Sequence, residues 1–331
     1  MSKIDVIVPC YRYGRYVHAC VESILGQSLK DSRVLIIDDA SPDDTPEVAN
    51  ELVRSDRRVE YIRHATNRGH IATYNEGLEW ISAEYALLLS ADDYLLPGAF
   101  ERAVGLMDAH AELVMTHGKG IQLHDDVLPP QFIARESGEQ GARNWSIIAG
   151  TDFIAQGLAG NRVVTATAVV RTEIQKRVGG YRVDLPHAGD MEMWFRFASQ
   201  GEIGEILTPQ AVYRKHADAM SVNYTHKIGD IEQRKLTFDI LFGTYGSNLP
   251  NHEQLRHRAM MLLAKDAAHF AGQCYNDGDT GSCKALCEMA RALSPDIVKS
   301  ETWQRLRMKR LMGYPLWATV RPWVNRLRSL S

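Results

Sequence analysis

No stretch of this chain is apolar over the roughly 20 residues that a bilayer-crossing helix needs, because charges or glycines interrupt the longest candidates. No membrane span is predicted. An excess of charge is missing too: 38 Lys and Arg against 41 Asp and Glu leave a formal net charge of -3, which excludes a nucleic-acid binder that works through a whole-protein basic field. Cysteine is scarce. Cys10, Cys20, Cys274, Cys283 and Cys287 are odd in number and make no disulfide framework, and the first ten residues read as a strand rather than a secretory leader, so reduced thiols and a cytoplasmic setting are expected. Low-complexity tracts and a second copy of any segment are absent. No glycine-rich, Lys/Arg-bearing phosphate loop follows the first apolar run.

What is present is ordinary globular material, 45% hydrophobic and 24% charged, in 331 residues that suffice for two domains. Over the first hundred residues, short apolar runs alternate with helix-period segments. Asp5 to Val8, Val34 to Ile37, Val59 to Ile62 and Tyr85 to Leu89 read as strands. Between them Val17, Val21, Ile24 and Leu25, then Val48 and Leu52, then Ile71, Tyr74, Leu78 and Ile81 mark helix faces, with Thr45-Pro46 as cap and first helical position of the second. Such alternation predicts an α/β fold with a doubly wound, mostly parallel sheet. Ligands bind such sheets beyond the carboxyl ends of the strands. Three strands end there in polar residues: Pro9-Cys10-Tyr11, Asp38-Asp39 and Asp92-Asp93.

The middle of the chain predicts a strand over Val163 to Val170, a short helix after Thr172 stopped by Gly179-Gly180, and a helix from about Asp190 to Gln200. Beyond His226 strand signals fade. Ala264 to Leu293 reads as a helical hairpin turning at Gly278-Asp279, and its small residues resemble one tetratricopeptide-type repeat, too few for a solenoid.

Two adjacent carboxylates at the end of a buried strand repel each other, and a divalent cation with oxygen ligands relieves that repulsion; Asp92-Asp93 is such a pair, though acid pairs also begin turns. Asp38-Asp39 ends a strand in the same way. An ionised carboxylate there accepts a hydrogen bond, such as one from the imide N–H of uracil, or makes an Asx-type turn. Tyr11 offers a ring for a base. Asp190 opens a helix, where backbone N–H groups and the dipole favour its ionised form and fit it to accept a proton; an aspartate there is also an ordinary cap, worth about 1 kcal/mol.

Taken together, Val6 to Arg12, Ile37-Asp38-Asp39-Ala40-Ser41 with Asp44-Thr45, Asn67-Arg68-Gly69, Ser90-Ala91-Asp92-Asp93 with Pro97-Gly98, and Gly179-Gly180-Tyr181 followed by Asp190 resemble the family 2 glycosyltransferases over residues 3–225. The resemblance implies a GT-A fold, a nucleotide-sugar donor, a divalent metal (Mg²⁺ or Mn²⁺) and inversion at the anomeric carbon. By position it implies Pro9 and Tyr11 in the nucleotide pocket, Asp39 on the base, Asp92 toward the ribose or sugar, Asp93 on the metal and Asp190 as catalytic base. Tyr213-Arg214-Lys215-His216 followed by Ser221 is similar to a segment that brings a histidine near the metal, which makes His216 a candidate ligand. Three departures stand out: many relatives have an acid where Ser90 stands, a glutamate at Gly189 and an arginine at Tyr74. The Gln-x-x-Arg-Trp segment and membrane spans of processive synthases are missing, which favours transfer of a single sugar.

The resulting expectation has three parts: residues 1–100 as a nucleotide-sugar-binding half, 101–225 as the acceptor-binding and catalytic half of the same domain, and 226–331 as a helical extension. The donor is expected to be linked to uridine diphosphate and the acceptor to be a glycan or lipid-linked hydroxyl. A sugar nucleotidyltransferase and a non-catalytic nucleotide-sugar sensor are the competing readings. After Glu301 no acid occurs, while Arg305, Arg307, Lys309, Arg310, Arg321, Arg326 and Arg328 alternate with Trp303, Leu306, Leu311, Trp317, Trp323 and Leu327. That pattern suits either an anionic membrane surface, peripheral at the inner face of the cell membrane, or a helix packed on the protein with a solvated basic face.

Overall fold

The computed structural model describes residues 2–124, 144–216 and 227–328; Ser221 and His226 lie outside them. The chain divides into two compact units, Met1–Val222 and Asn223–Ser331.

In the first unit β1 (Ile4–Cys10) is buried along its whole length, as a central strand covered on both faces must be. It pairs in parallel with β2 (Ser32–Asp38) and β4 (Tyr85–Leu88), and β2 pairs in parallel with β3 (Val59–Arg63). The crossovers are α1 (Gly14–Leu25), α2 (Thr45–Ser55) and α3 (His70–Trp80). In α1, Tyr16, Val17, Cys20, Val21 and Ile24 give one buried face at helical spacing. Helix α2 departs from expectation by one residue: Asp44 is the flanking residue and Thr45 the first helical one, its hydroxyl given to Asp43 Oδ1 at 2.6 Å.

The second half of the sheet is mixed. After β5 (Tyr94–Leu95) and α4 (Ala99–Ala109) come β6 (Leu113–His124), β7 (Trp145–Ile148), α5 (Gly150–Gly157), β8 (Val169–Arg171), α6 (Thr172–Val178), α7 (Gly189–Ala198) and β9 (Glu202–Lys215). The strand order is β3-β2-β1-β4-β8-β6-β9-β5, with β7 on β9. Instead of a strand over Val163 to Val170, residues Thr165–Thr167 form a 3₁₀ turn before β8. The cause is local: Thr167 Oγ1 donates to Val164 O at 2.8 Å and accepts from Gly118 N at 3.1 Å, so a side chain replaces the ladder.

The second unit holds α8 (Lys227–Gly243), α9 (His252–Asn276), α10 (Thr280–Leu293), α11 (Glu301–Met312) and α12 (Tyr314–Arg328). The hairpin turns at Gly278, whose φ of 85° suits glycine, and Asp279 caps α10 through Ser282 N. Ala267, Ala271, Cys283, Cys287 and Ala290 are buried where small side chains let helices approach.

Two helical glycines test the packing. A Cβ at Gly77 in α3 would lie 2.3 Å from Ile7 Cγ2 of the central strand, whereas one at Gly105 in α4 meets nothing within 4 Å. Gly77→Ala is therefore expected to destabilise the protein by about 1–3 kcal/mol through overpacking, and Gly105→Ala to stabilise it by about 0.5–1 kcal/mol through helix propensity. Urea denaturation of the two variants checks both signs.

Candidate active site

Strand order reverses direction at β1, with β2 and β3 on one side and β4 on the other. A crevice opens at such a point beyond the strands' carboxyl ends. Asp39 N donates to Cys10 O at 2.9 Å and Ala91 N to Pro9 O at 3.3 Å, which sets Pro9, Asp39 and Asp92 along one edge. Tyr11 follows on the rim, 42% exposed. Two non-glycine residues sit at positive φ here, Arg12 at 64° and Ala40 at 60°. Each conformation costs roughly 1–2 kcal/mol. Ser41 holds both loops, accepting from Arg12 N at 3.0 Å and donating its own N–H to Asp38 Oδ1 at 2.8 Å.

The two acids of the first pair differ. Asp38 is fully buried and structural: beyond Ser41 it accepts from Tyr61 Oη at 3.0 Å and meets Arg63 Nε at 3.3 Å. Asp39 Oδ1 accepts from Arg68 N at 2.7 Å and faces His64 Nδ1 at 2.6 Å, while Oδ2 accepts from Gly69 N at 2.8 Å. Gly69, at φ 82°, can turn its N–H that way as other residues rarely can. His64 is itself bracketed by Glu76 at 3.0 Å, which also pairs with Arg68. Of the roughly four acceptor sites on a carboxylate, Asp39 keeps one, on Oδ2.

Asp92 and Asp93 follow β4, and the end of β9 returns to them. Tyr94 pairs with Val212 across β5 and β9, so Arg214 and His216 arrive two and four residues later. Arg214 N donates to Asp93 Oδ1 at 3.0 Å, and its guanidinium, stacked 4.9 Å from both the Tyr16 and Tyr94 ring centroids, donates to the Asp92 carbonyl. His216 Nε2 lies 3.2 Å from Asp92 Oδ2, its ring against Tyr13 and Tyr16. Asp92 Oδ1 and His216 Nδ1 are buried without a hydrogen-bond partner. Burial first, and then the charge of Asp92, push the Asp93 carboxyl well above the ordinary range.

Among the described residues no group of three or more His, Cys, Asp and Glu forms a metal cage. A cation completed by substrate oxygens needs only one or two carboxylates from the protein. The orphaned Asp92 Oδ1 and the Asp93 carboxylate, held side by side and mutually repelling, are such a donor set, and they fit Mg²⁺ or Mn²⁺.

Asp190 is the second residue of α7, not its cap; Ala188 flanks the helix and no side chain caps it. The carboxylate turns instead to Thr165, whose Oγ1 donates to Oδ2 at 2.8 Å, and to a hydrogen bond with the Tyr181 side chain. Burial pushes its pKa up against those two bonds and against the nearby His70 and His187, so desolvation outweighs the helix dipole that the sequence pointed to. Tyr74 joins the two acid groups: burial raises its hydroxyl pKa well up, and the charges of Asp190, Asp92 and Asp93 add to that. The sequence did not mark Arg214, Thr165 or Tyr181 for these roles. The only signals were their places beside His216, in a β-branched run and after Gly179-Gly180.

Residues 5–160 match the family described as Glycosyl transferase family 2. An uncharacterized glycosyltransferase of Haemophilus influenzae is 34% identical over 118 residues, 36% of this chain and 47% of that protein, so the match spans about half of its length. The putative glycosyltransferase EpsE of Bacillus subtilis is 27% identical over 221 residues, 66% of this chain and 74% of that protein. Among solved structures, S. aureus TarS 1-349 in complex with UDP-GlcNAc is similar at TM-score 0.59 and 16% identity, over 88% of this chain and 92% of that one. Mannosyltransferase PcManGT from Pyrobaculum calidifontis, in complex with GDP-Man and Mn²⁺, is similar at TM-score 0.54 and 16% identity, over 96% of this chain and 86% of that one. At these identities the two structures speak to the fold.

Because the folded-state pKa of Asp190 is raised, the folded protein binds its proton more tightly than the unfolded chain does. The contribution of this group to stability is greatest below pH 3.8 and declines as pH rises through the folded value. Carboxyl-carbon NMR should show Asp190 titrating above 3.8. Thr165→Val, which removes a bond to the ionised form, should move the midpoint further up.

Proposed function

We propose that the chain, whose residues 5–160 match glycosyl transferase family 2 and whose fold is similar to GT-A structures, is a glycosyltransferase of that family that transfers one hexose, with inversion, from a uridine diphosphate-linked donor to a glycan or lipid-linked hydroxyl. The observation that carries this reading is the Asp92-Asp93 pair beyond the carboxyl end of β4, where Asp92 Oδ1 is buried without a hydrogen-bond partner and His216 Nε2 stands 3.2 Å from Asp92 Oδ2.

In this reading Pro9 and Tyr11 line the nucleotide pocket, and the remaining acceptor site of Asp39 takes the uracil imide N–H. Asp92 faces the ribose or sugar, and Asp93, with His216 beside it, holds the cation. That cation, Mg²⁺ or Mn²⁺, supplies positive charge to the departing diphosphate. Asp190 takes the proton of the acceptor hydroxyl as that oxygen attacks the anomeric carbon in line with the leaving group. Its raised pKa makes it a stronger base than a solvated aspartate, while Thr165 and Tyr181 fix which oxygen faces the acceptor. Support for a nucleotide-sugar and a cation comes also from TarS, solved with UDP-GlcNAc, and PcManGT, solved with GDP-Man and Mn²⁺. The acid-free tail lies on the cytoplasmic membrane surface, where a lipid-linked acceptor is presented. No described helix is long and apolar enough to cross a membrane.

Asp190→Asn keeps the shape and removes the base. It should leave donor affinity nearly unchanged and lower kcat by 10²–10⁴-fold; more than about a tenth of wild-type turnover would reject the assignment. Asp93→Ala should abolish the Mn²⁺-dependent part of UDP-sugar affinity, and calorimetry showing equal affinity with and without Mn²⁺ in the wild type would sink the metal role.

A further inference from the structure

The tail's basic residues do not form one uniform face. Arg305 pairs with Glu301, Lys309 bonds Asn276 Oδ1 at 3.1 Å and lies over the Trp317 ring, and Arg321 gives its guanidinium to Asn276 O at 2.6 Å. These three are occupied within the unit. Among the described residues Arg307 and Arg310 meet no carboxylate, and Arg291 of α10, outside the basic run, joins them. The three surround a cavity of about 300 Å³ whose other walls are Trp303, Leu306 and Leu311. Arg291 lies 4.9 Å from the Trp303 ring centroid and Arg310 donates to Cys287 Sγ at 3.5 Å, which positions both; Cys283 first, and then the two arginines, hold the Cys287 thiol below its ordinary range.

Three guanidiniums around one hollow repel each other, and bidentate donors of this kind fit phosphate oxygens. The surroundings select the source of that phosphate. Leu311, a wall of the cavity, is 71% exposed, and Met308 and Met312 stand on the same side of α11 at three- and four-residue spacing; Leu316 and Trp323 are exposed on α12. Apolar side chains beside arginines that meet no carboxylate among the described residues, in a segment with no acid after Glu301, complement a layer of anionic headgroups over acyl chains.

We propose that the Arg291, Arg307 and Arg310 cavity is a headgroup site for an anionic phospholipid, seated as Leu311 and its exposed neighbours enter the interface. It rests on the surface attachment stated above and names the site responsible for it. Trp303 and Trp317 do not enter the interface, since both are buried within the helical unit; Trp303 serves only as a wall of the cavity.

Flotation of the full chain with phosphatidylcholine vesicles, with and without phosphatidylglycerol, tests this. Binding is expected only with phosphatidylglycerol. The triple Arg291→Gln, Arg307→Gln, Arg310→Gln variant should partition on the order of 100-fold more weakly, from roughly fivefold per basic group. A charge-matched variant with Arg54, Arg57 and Arg177 changed to Gln should stay within about threefold of wild type. Leu311→Gln alters an exposed side chain that folding does not need, and should cost about tenfold at unchanged charge. If wild type binds phosphatidylglycerol vesicles and the triple variant binds equally, the cavity assignment falls while surface attachment stands. If wild type does not bind them, both fall. Release of vesicle-bound protein by inorganic phosphate, but not by sodium chloride of equal ionic strength, would make this a free-phosphate site and overturn the lipid assignment.

Discussion

Two carboxylates on consecutive residues cannot both ionise in a half-buried crevice without positive charge close by. This constraint at Asp92-Asp93 organises the first unit. Among the described residues Arg214 is the arginine brought to the pair, but its backbone N–H meets Asp93 and its guanidinium meets the carbonyl of Asp92, so the carboxylate charges are only partly offset. Holding Arg214 there takes a long strand that pairs with β5 and β6 and ends at the crevice, together with Tyr16 and Tyr94 as flanking rings. The mixed half of the sheet thereby returns the chain to the end of its parallel half.

The five acids at the sheet ends show how environment separates chemistry from structure. Asp5, at the opposite edge, is saturated by Arg33 and the Ser82 and Ala83 N–H groups, which hold its carboxyl below the ordinary range despite burial. Asp38 is consumed by Ser41 and Tyr61, and Asp39 retains one acceptor site. Asp92 keeps a buried oxygen with no partner at all. In the sequence, Asp38-Asp39 and Asp92-Asp93 look alike, because dipeptide identity says nothing of which donors the rest of the chain will bring.

The same distinction explains what was legible. The four parallel strands and three crossover helices were readable because burial on both faces leaves continuous apolar runs, and helices packed on one side leave a 3.6-residue period. Thr165–Thr167 was not, since β-branched residues suit strands and only the partners of Thr167 choose the turn. That turn is what aims Thr165 at Asp190. In the second unit the hairpin was legible from its small residues and Gly278, but the tryptophans were not divisible by pattern: Trp303 and Trp317 go inside and Trp323 stays out. Arg291 could not be joined to Arg307 and Arg310 from spacing, because it sits on another helix.

Tyr74 carries the last consequence. A fixed positive charge at that position would stabilise the carboxylates of Asp190, Asp92 and Asp93 and pull their pKa values down. A half-buried tyrosine does the reverse: it fills the space, packs its edge on His70 and Tyr181 with ring centroids 5.5 and 5.3 Å away, and contributes no charge. Asp190 is then left to burial, which raises its proton affinity. At Asp93 the charge of Arg214 offsets burial and the charge of Asp92 only in part. A neutral side chain at Tyr74 thus leaves the proton affinity of Asp190 raised and adds nothing to the partial compensation that Arg214 gives Asp93.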